Sequence, residues 1–350
     1  MISPVNISLA LLPVLLFLAA LVFLDSFKLT PLRSVVLSIA VGALVGLVAY
    51  GINTWFRESM GVDPVYLRRV IGPIVEESLK AAWLAWLVGS KKVGFLVDAA
   101  IHGFAVGAGF AVLENIYYLL AVHDANPALW LIRGFGTALM HGSATAIVAI
   151  LGKGLADRHP RGYPLIFLPA IAAGIVIHAG FNVLVLPPIV MTLVVLIVFP
   201  VLLYAVFQRS EGATKEWLGV NLDTDLELLG AMTGGGIGDS KVGHYLKSLE
   251  GRFSSDVLID MFCLLQLNLE LSILAKGVLM ARSAGLDVPM TDELKDQLRE
   301  VRHLERSIGP TGRLAMQPIM PMSSRELWQV YMLSQKAVGR PVAAPGLPGE

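Results

Sequence analysis

The sequence is poor in charged residues and has almost no cysteine. Only 15% of its 350 residues are charged, the formal net charge at pH 7 is zero, and Cys263 is the single cysteine. One cysteine cannot form an internal disulfide. A chain without net charge has no broad electrostatic attraction for nucleic acid. The composition therefore predicts neither a disulfide scaffold nor a nucleic-acid partner.

Apolar residues, by contrast, are abundant and form long runs. They make up 55% of the chain, which has a mean hydropathy of +0.69, and they are concentrated in its first two thirds. A membrane-spanning helix needs about 20 largely apolar residues. We therefore predict an all-α fold, a polytopic transmembrane helical bundle of about seven spans, with six as the alternative because only two prolines separate the last two. The predicted spans are 5–24, 34–52, 70–89, 94–122, 130–152, 163–186 and 187–207.

The ends of this bundle are also predicted from the sequence. The first run lacks a preceding basic segment, so we expect a retained span rather than a cleaved signal peptide. Basic residues in short loops cluster on one side, which predicts an extracytoplasmic N-terminus and a cytoplasmic C-terminal region. The basic residues on the predicted inner side are Lys28, Arg33, Lys91, Lys92, Lys153, Arg158, Arg161, Arg209 and Lys215.

After residue 207 the composition becomes more polar. We predict three regions: a membrane domain over 1–207, a helical cytoplasmic region over 208–335, and a disordered tail over 336–350. The segment "TGGGIGDS" lacks the Gly-Lys-Ser/Thr ending of a phosphate-binding loop, so it is predicted to be a turn.

Several ionisable residues interrupt the apolar spans. A charge at the bilayer centre costs roughly 2.5–3.5 kcal/mol on insertion scales, so such residues mark pairing or function. With the predicted topology and a rise of 1.5 Å per residue, they lie roughly 9–17 Å below the outer surface. Four helices therefore bring carboxylates and imidazoles to the same depth in the membrane. The residues are Glu76, Glu77, Glu114, His141 and His178.

Helical spacing indicates which side chains share a face. His178 and Asn182 are four residues apart and are therefore neighbours. Glu76 and Glu77 point about 100° apart, so we expect one to face the centre and the other to pair with Lys80. Asn115 is interpreted as an interhelical hydrogen-bonding residue, and His102, deeper in its span, as structural.

Two chemistries are consistent with this set of residues. Two imidazoles with one or two carboxylates match a zinc site that keeps a position open for water, with Glu114, His141 and His178 as candidate ligands. Without a metal, a desolvated glutamate could serve as general base, while the histidines and Asn182 stabilise the oxyanion. Both routes lead to hydrolysis of a peptide bond in or near the membrane.

The same residues resemble the motifs of the PrsW family of intramembrane proteases, in the wider superfamily of the CAAX-prenyl proteases. A Glu-Glu-x-x-Lys motif occurs at Glu76–Lys80, and a Phe-x-x-x-Glu-Asn motif at Phe110–Asn115. Single histidine motifs match His141 and His178–Asn182. The resemblance covers roughly residues 65–185.

The resemblance implies a protease that cuts a single-span membrane protein near its extracytoplasmic side, such as an anti-sigma factor. It implies Glu76 as the residue that activates water, and leaves the need for a metal open. The full predicted catalytic set is Glu76, Glu77, Glu114, His141, His178 and Asn182. The alternatives are a proton- or metal-coupled transporter that uses the same residues, and a non-enzymatic scaffold that recruits partners through residues 208–350.

Overall fold

The computed structural model describes residues 3–25, 27, 30–122, 126–158, 165–183, 186–286 and 292–320. Within these ranges all regular structure is helical, which confirms the predicted all-α fold. The chain divides into two compact units, Met1–Thr214 and Lys215–Glu350. The predicted disordered tail lies outside the described residues.

The helices follow one another through short connections. The first nine are α1 (Pro4–Leu24), α2 (Leu32–Ser59), the single turn α3 (Pro64–Tyr66), α4 (Gly72–Gly89), α5 (Leu96–Ala121), α6 (Pro127–Ile132), α7 (Leu139–Arg158), α8 (Leu168–Val183) and α9 (Pro188–Thr233). The boundary between the units falls within α9. The second unit continues with α10 (Lys241–Lys247), α11 (Ser255–Ser283), α12 (Asp292–Ser307) and α13 (Gly309–Met316).

In the described part of the chain, seven helical stretches are long and apolar enough to cross a membrane. Six of them coincide with predicted spans, and the seventh is Ser255–Arg282, in the second unit. The predicted span 70–89 forms α4, which is not among the seven and carries Glu76, Glu77 and Lys80. Because α4 packs against α2, α7 and α8, Glu77 and Lys80 are buried in protein and Glu76 is mostly covered. The remaining stretches are Pro4–Leu24, Leu32–Ser59, Leu96–Ala121, Pro127–Arg158, Leu165–Val183 and Pro188–Thr214.

The centre of the first unit is α5, which is buried along most of its length between α2 and α7. Small residues permit this close packing. A β-carbon at Gly103 would lie 2.6 Å from the carbonyl oxygen of Thr145 on α7, and one at Gly107 would overlap the carbonyl oxygen of His141. One at Gly109 would overlap the backbone of Ile39 on α2. The glycines therefore fix the position of α7, and with it that of His141.

A turn of π-helix precedes two of the helices that carry ionisable residues. Leu67–Ile71 leads into α4, and Arg133–Ala138 leads into α7. Such turns are uncommon and occur frequently at functional sites. Each one changes the direction of the side chains at the start of the helix that follows it.

The second unit has a packed core of its own. The chain leaves α9 through the glycine-rich segment, where Gly235 has a φ of +77° and a short 3-10 turn spans Gly236–Asp239. Helix α11 packs against α12 and α13. Its buried Lys276 forms a 2.6 Å ion pair with Asp225. The glycine-rich segment is thus a turn between helices.

Replacing Gly107 with Ala should destabilise the protein although alanine favours helices. The added methyl group would collide with the backbone of α7, and overpacking costs on the order of 1–3 kcal/mol, more than the ~1 kcal/mol of helix propensity gained. Thermal unfolding of the detergent-solubilised protein measures the change. Gly154→Ala, on α7 with no atom within 4 Å of the added carbon, is the control and should leave Tm unchanged or raise it. Equal Tm values for the two variants would contradict the packing described.

Candidate active site

The ionisable residues predicted to converge do lie together. Helix α4 supplies Glu76, Glu77 and Lys80, α5 supplies Glu114, α7 supplies His141 and α8 supplies His178. Glu77, Lys80, His141 and His178 are all buried. Because the four helices come from separate parts of the sequence, the site exists only in the assembled bundle.

Glu77 joins α4 to α8. Its Oε1 accepts a hydrogen bond from Lys80 Nζ at 2.7 Å and lies 2.9 Å from His178 Nδ1. A carboxylate accepts hydrogen bonds, so His178 donates through Nδ1. In a neutral imidazole the lone pair of His178 is then on Nε2, which lies 3.8 Å from Glu76 Oε2. Glu77 thus pairs with Lys80, as expected of one of the two glutamates, and both glutamates approach His178.

The second imidazole is held in a similar way by α5. Lys80 Nζ lies 3.2 Å from His141 Nδ1, and an ammonium group can only donate, so Nδ1 is the acceptor. The N–H of the neutral ring is then Nε2, which faces Glu114 Oε2 at 3.0 Å. The rings of His141 and His178 meet edge to face, with centroids 4.6 Å apart. Each imidazole thus has its own carboxylate partner, an arrangement that fixes the tautomer and the ring orientation.

Glu76 is more exposed than Glu77. Its Oε1 accepts a hydrogen bond from Asn53 on α2 at 3.2 Å, and its side chain is 16% exposed, whereas Glu77 is fully buried. The side chain of Glu114 is 27% exposed. The site is therefore open where α4 and α5 present Glu76 and Glu114.

Arg133 supplies a second cation to the cluster. At the start of the π-helical turn before α7, its Nη2 lies 3.2 Å from Glu114 Oε1, and its Nε donates to Asn115 Oδ1 at 3.0 Å. Its guanidinium also stacks 3.7 Å over the ring of Tyr118. With neutral imidazoles, two cations thus face three carboxylates, and the cluster has a formal charge of −1.

A metal ion could be held by part of this cluster. Ligand atoms of Glu76, His141 and His178 lie within 4.8 Å of one another. Two imidazoles and a carboxylate suit zinc and similar transition metals, and the net negative charge favours a cation, so the donor set fits. The predicted ligand Glu114 lies on the other side of the His141 ring, where it faces Nε2, and Glu76 lies with the two histidines.

The asparagines and His102 have other contacts. Asn182 donates to the carbonyl oxygen of Arg68 at 3.0 Å, which ties α8 to the turn before α4. Asn115 donates to the carbonyl oxygen of Ala10 at 2.7 Å and so links α5 to α1. His102 bonds to Ser38 at 2.9 Å, away from the site. The predicted catalytic role of Asn182 stays a prediction.

Two residues of the cluster were missed in the sequence. Arg133 is a charge inside the predicted span 130–152, and the rule that singled out the glutamates applies to it equally. Asn53 lies one residue beyond the predicted end of the span 34–52, so it was not considered as an intramembrane polar residue. Both contact carboxylates of the predicted set.

Replacing Arg133 with Gln should destabilise the protein by on the order of 2 kcal/mol, because Glu114 would lose its countercharge in a mostly buried position. Thermal unfolding in detergent measures the loss. Arg57→Gln is the control, since Arg57 pairs with Glu58 at 2.9 Å on the surface and exposed pairs contribute about 0–1 kcal/mol. Unchanged stability of the Arg133 variant would show that Glu114 does not depend on this ion pair.

Comparison with known proteins gives one match. The family model described as PrsW family intramembrane metalloprotease matches residues 30–206, just over half of the chain. The matched segment contains every residue of the cluster. No curated protein and no solved structure matches the chain.

Proposed function

Because the chain belongs to the PrsW family of intramembrane metalloproteases, we propose that it is an endopeptidase that cuts a membrane-anchored protein near the extracytoplasmic side. The observation that carries this proposal is the partly exposed Glu76 beside two imidazoles, each held by its own carboxylate. Such a cluster has the parts that amide hydrolysis requires: a proton acceptor, positioned nitrogens and countercharges.

Glu76 is the proposed general base. It takes a proton from water as the oxygen attacks the substrate carbonyl, and it returns that proton to the leaving amide nitrogen as the C–N bond breaks. Asn53 orients the carboxylate through its contact with Oε1. His178, held by Glu77 through Nδ1, and His141, held by Glu114 through Nε2, keep their other ring nitrogens as lone-pair donors, which suits the two side chains to hold a metal ion. Asn182, one helical turn after His178 on α8, is proposed to donate a hydrogen bond to the carbonyl oxygen of the scissile bond.

The family description implies a metal, and we propose zinc. His141 and His178 would hold it, and Glu76, whose ligand atom lies within 4.8 Å of theirs, would be the base beside it. A bound zinc ion would acidify water and polarise the carbonyl of the scissile bond. The carboxylate partners of the two histidines would then orient these ligands, a common arrangement around metals in proteins.

A single-span protein, such as an anti-sigma factor, is the proposed substrate class. The site opens at Glu76 and Glu114, both close to the predicted outer ends of their spans, and a segment anchored in the same bilayer would meet it there. The bias of basic residues in loops supports an extracytoplasmic N-terminus.

The transporter alternative is less well supported. A second polar group lies at the other end of α5, where Asp98 accepts from Thr30 at 3.2 Å and His102 bonds to Ser38. Between His102 and Glu114, however, α5 carries only apolar residues and glycine over roughly 16 Å. That stretch is buried against α2 and α7. On α5, therefore, no polar side chain links the two groups.

Replacing Glu76 with Gln should abolish proteolysis by the purified protein. Loss of a general base lowers the rate about 10²–10⁴-fold, and the neutral amide keeps the size of the side chain and so preserves folding. Cleavage of single-span reporter peptides in detergent, with zinc supplied, measures the effect. Glu58→Gln, on the exposed end of α2, is the matched control and should cut at the wild-type rate. Wild-type cleavage by the Glu76 variant would refute the proposal.

The proposed orientation can be tested with the native thiol. Cys263 is exposed on α11 in the second unit. With Ser255–Arg282 outside the membrane, as the predicted cytoplasmic region requires, it should react with a membrane-impermeant maleimide only after the cells are permeabilised. In a Cys263→Ser background, Asp63→Cys places a thiol in the connection before α3 and should react in intact cells. The reverse labelling pattern would show that the topology is opposite to the one proposed.

A further inference from the structure

We propose that Lys80 caps the nitrogen of His141 through which a metal would bind, so that its ammonium group and a divalent cation compete for one position. The inference rests on metal binding by the proposed site and does not depend on proteolysis. It assigns Lys80 a second role beside its ion pair with Glu77, namely to set the metal affinity of the site.

The ammonium group of Lys80 contacts three side chains of the site. Its side chain is completely buried, and Nζ lies 2.7 Å from Glu77 Oε1 and 3.2 Å from His141 Nδ1. Nζ also lies 4.1 Å from the centre of the Phe110 ring, within range of a cation–π contact. The ammonium group thus occupies the space in front of His141 Nδ1.

The lone pair that Lys80 covers is the one that a metal would need. His141 has two ring nitrogens, and Nε2 faces the carboxylate of Glu114 at 3.0 Å. With the proton on Nε2, the ligand lone pair of the neutral ring is on Nδ1. His178 is different, because its Nε2 lone pair faces Glu76 rather than a cation. Of the two imidazoles, only His141 would have to release a protein partner, the ammonium group of Lys80, before its free nitrogen could bind a metal.

Electrostatic repulsion prevents the two cations from occupying that position at the same time. An ammonium group and a divalent ion within hydrogen-bonding distance of the same nitrogen repel each other strongly in a medium of low dielectric constant. Lys80 has a flexible four-carbon stem and a strong second partner in Glu77. It can therefore give up the contact with His141 and keep the one with Glu77. Metal binding then costs one hydrogen bond and the reorientation of one side chain.

The arrangement has a consequence for the metal-free protein. With Lys80 in place, His141 Nδ1 and Glu77 Oε1 each have a hydrogen-bond partner, so this contact holds the site together without a metal. The same contact lowers the affinity for metal, since the ammonium group must first be displaced. Removing the charge of Lys80 should therefore tighten metal binding, whereas the loss of a purely structural residue should weaken it or leave it unchanged.

The test is metal affinity of the purified full-length protein, with proteolysis measured separately. Metal-stripped wild type, Lys80→Met and Lys80→Gln are titrated with Co²⁺ and Zn²⁺ against a competing chelator, and the visible spectrum of bound Co²⁺ reports imidazole ligation. Both variants should bind more tightly than wild type by about tenfold or more, the size of effect that groups next to metal ligands typically have. Lys80→Gln can still donate to Glu77, so it covers the case in which the methionine variant fails to fold.

Two controls identify the source of the gain in metal affinity. Lys153→Met removes another buried lysine, which pairs with Asp157 at 2.6 Å on α7, and should leave the affinity unchanged. Adding His141→Ala to Lys80→Gln should abolish the gain, because the freed nitrogen is then absent. Equal or weaker binding by a folded Lys80 variant would overturn the proposal, as would a gain that persists without His141. Absence of binding in every variant would also overturn it, and reporter cleavage by wild type would then show that the proposed protease function still stands.

Discussion

Burial of carboxylates among apolar helices is the constraint on which the rest of the site depends. Glu77 and Lys80 are both fully buried and lie 2.7 Å apart. A buried ion pair offsets its desolvation only when the geometry is good and the remaining groups are hydrogen-bonded. Here His178 supplies the second donor to Glu77, and His141 accepts from Lys80. Four residues from three helices thus form one connected network, in which Glu77 Oε1 receives both the lysine and the histidine donor.

The sequence predicts well where residues lie along the axes of the helices. Hydropathy indicates where most helices lie, and a fixed rise per residue indicates how deep a given residue sits in its span. For that reason the meeting of Glu76, Glu114, His141 and His178 could be expected before any contact was known. Helix α4 was predicted as the span 70–89 although it carries three charged residues, because the residues around them are apolar.

Partner choice depends on packing and could not be predicted in the same way. Adjacent glutamates were expected to divide between the centre and Lys80. Glu77 does pair with Lys80, but it also accepts from His178 Nδ1, while Glu76 lies 3.8 Å from the other nitrogen of that ring. Arg133, which contacts Glu114, lies at the start of a π-helical turn that has no clear sequence signature. Asn53 was excluded by an error of one residue at a span boundary. Directions around a helix are thus less accessible from sequence than positions along it.

The difference between the two adjacent glutamates bears on which of them reacts. Glu77 accepts from a lysine and a histidine and is fully buried, so its negative charge is already used to hold the site together. Glu76 has an amide donor on one oxygen, lies 3.8 Å from an imidazole nitrogen on the other, and is partly exposed. A general base must have access to water and must be able to take up a proton without dismantling its surroundings. Protonation of Glu77 would weaken its pair with Lys80, whereas protonation of Glu76 would leave that pair intact. The division of labour between neighbouring residues of one helix therefore follows from which partners each one must keep.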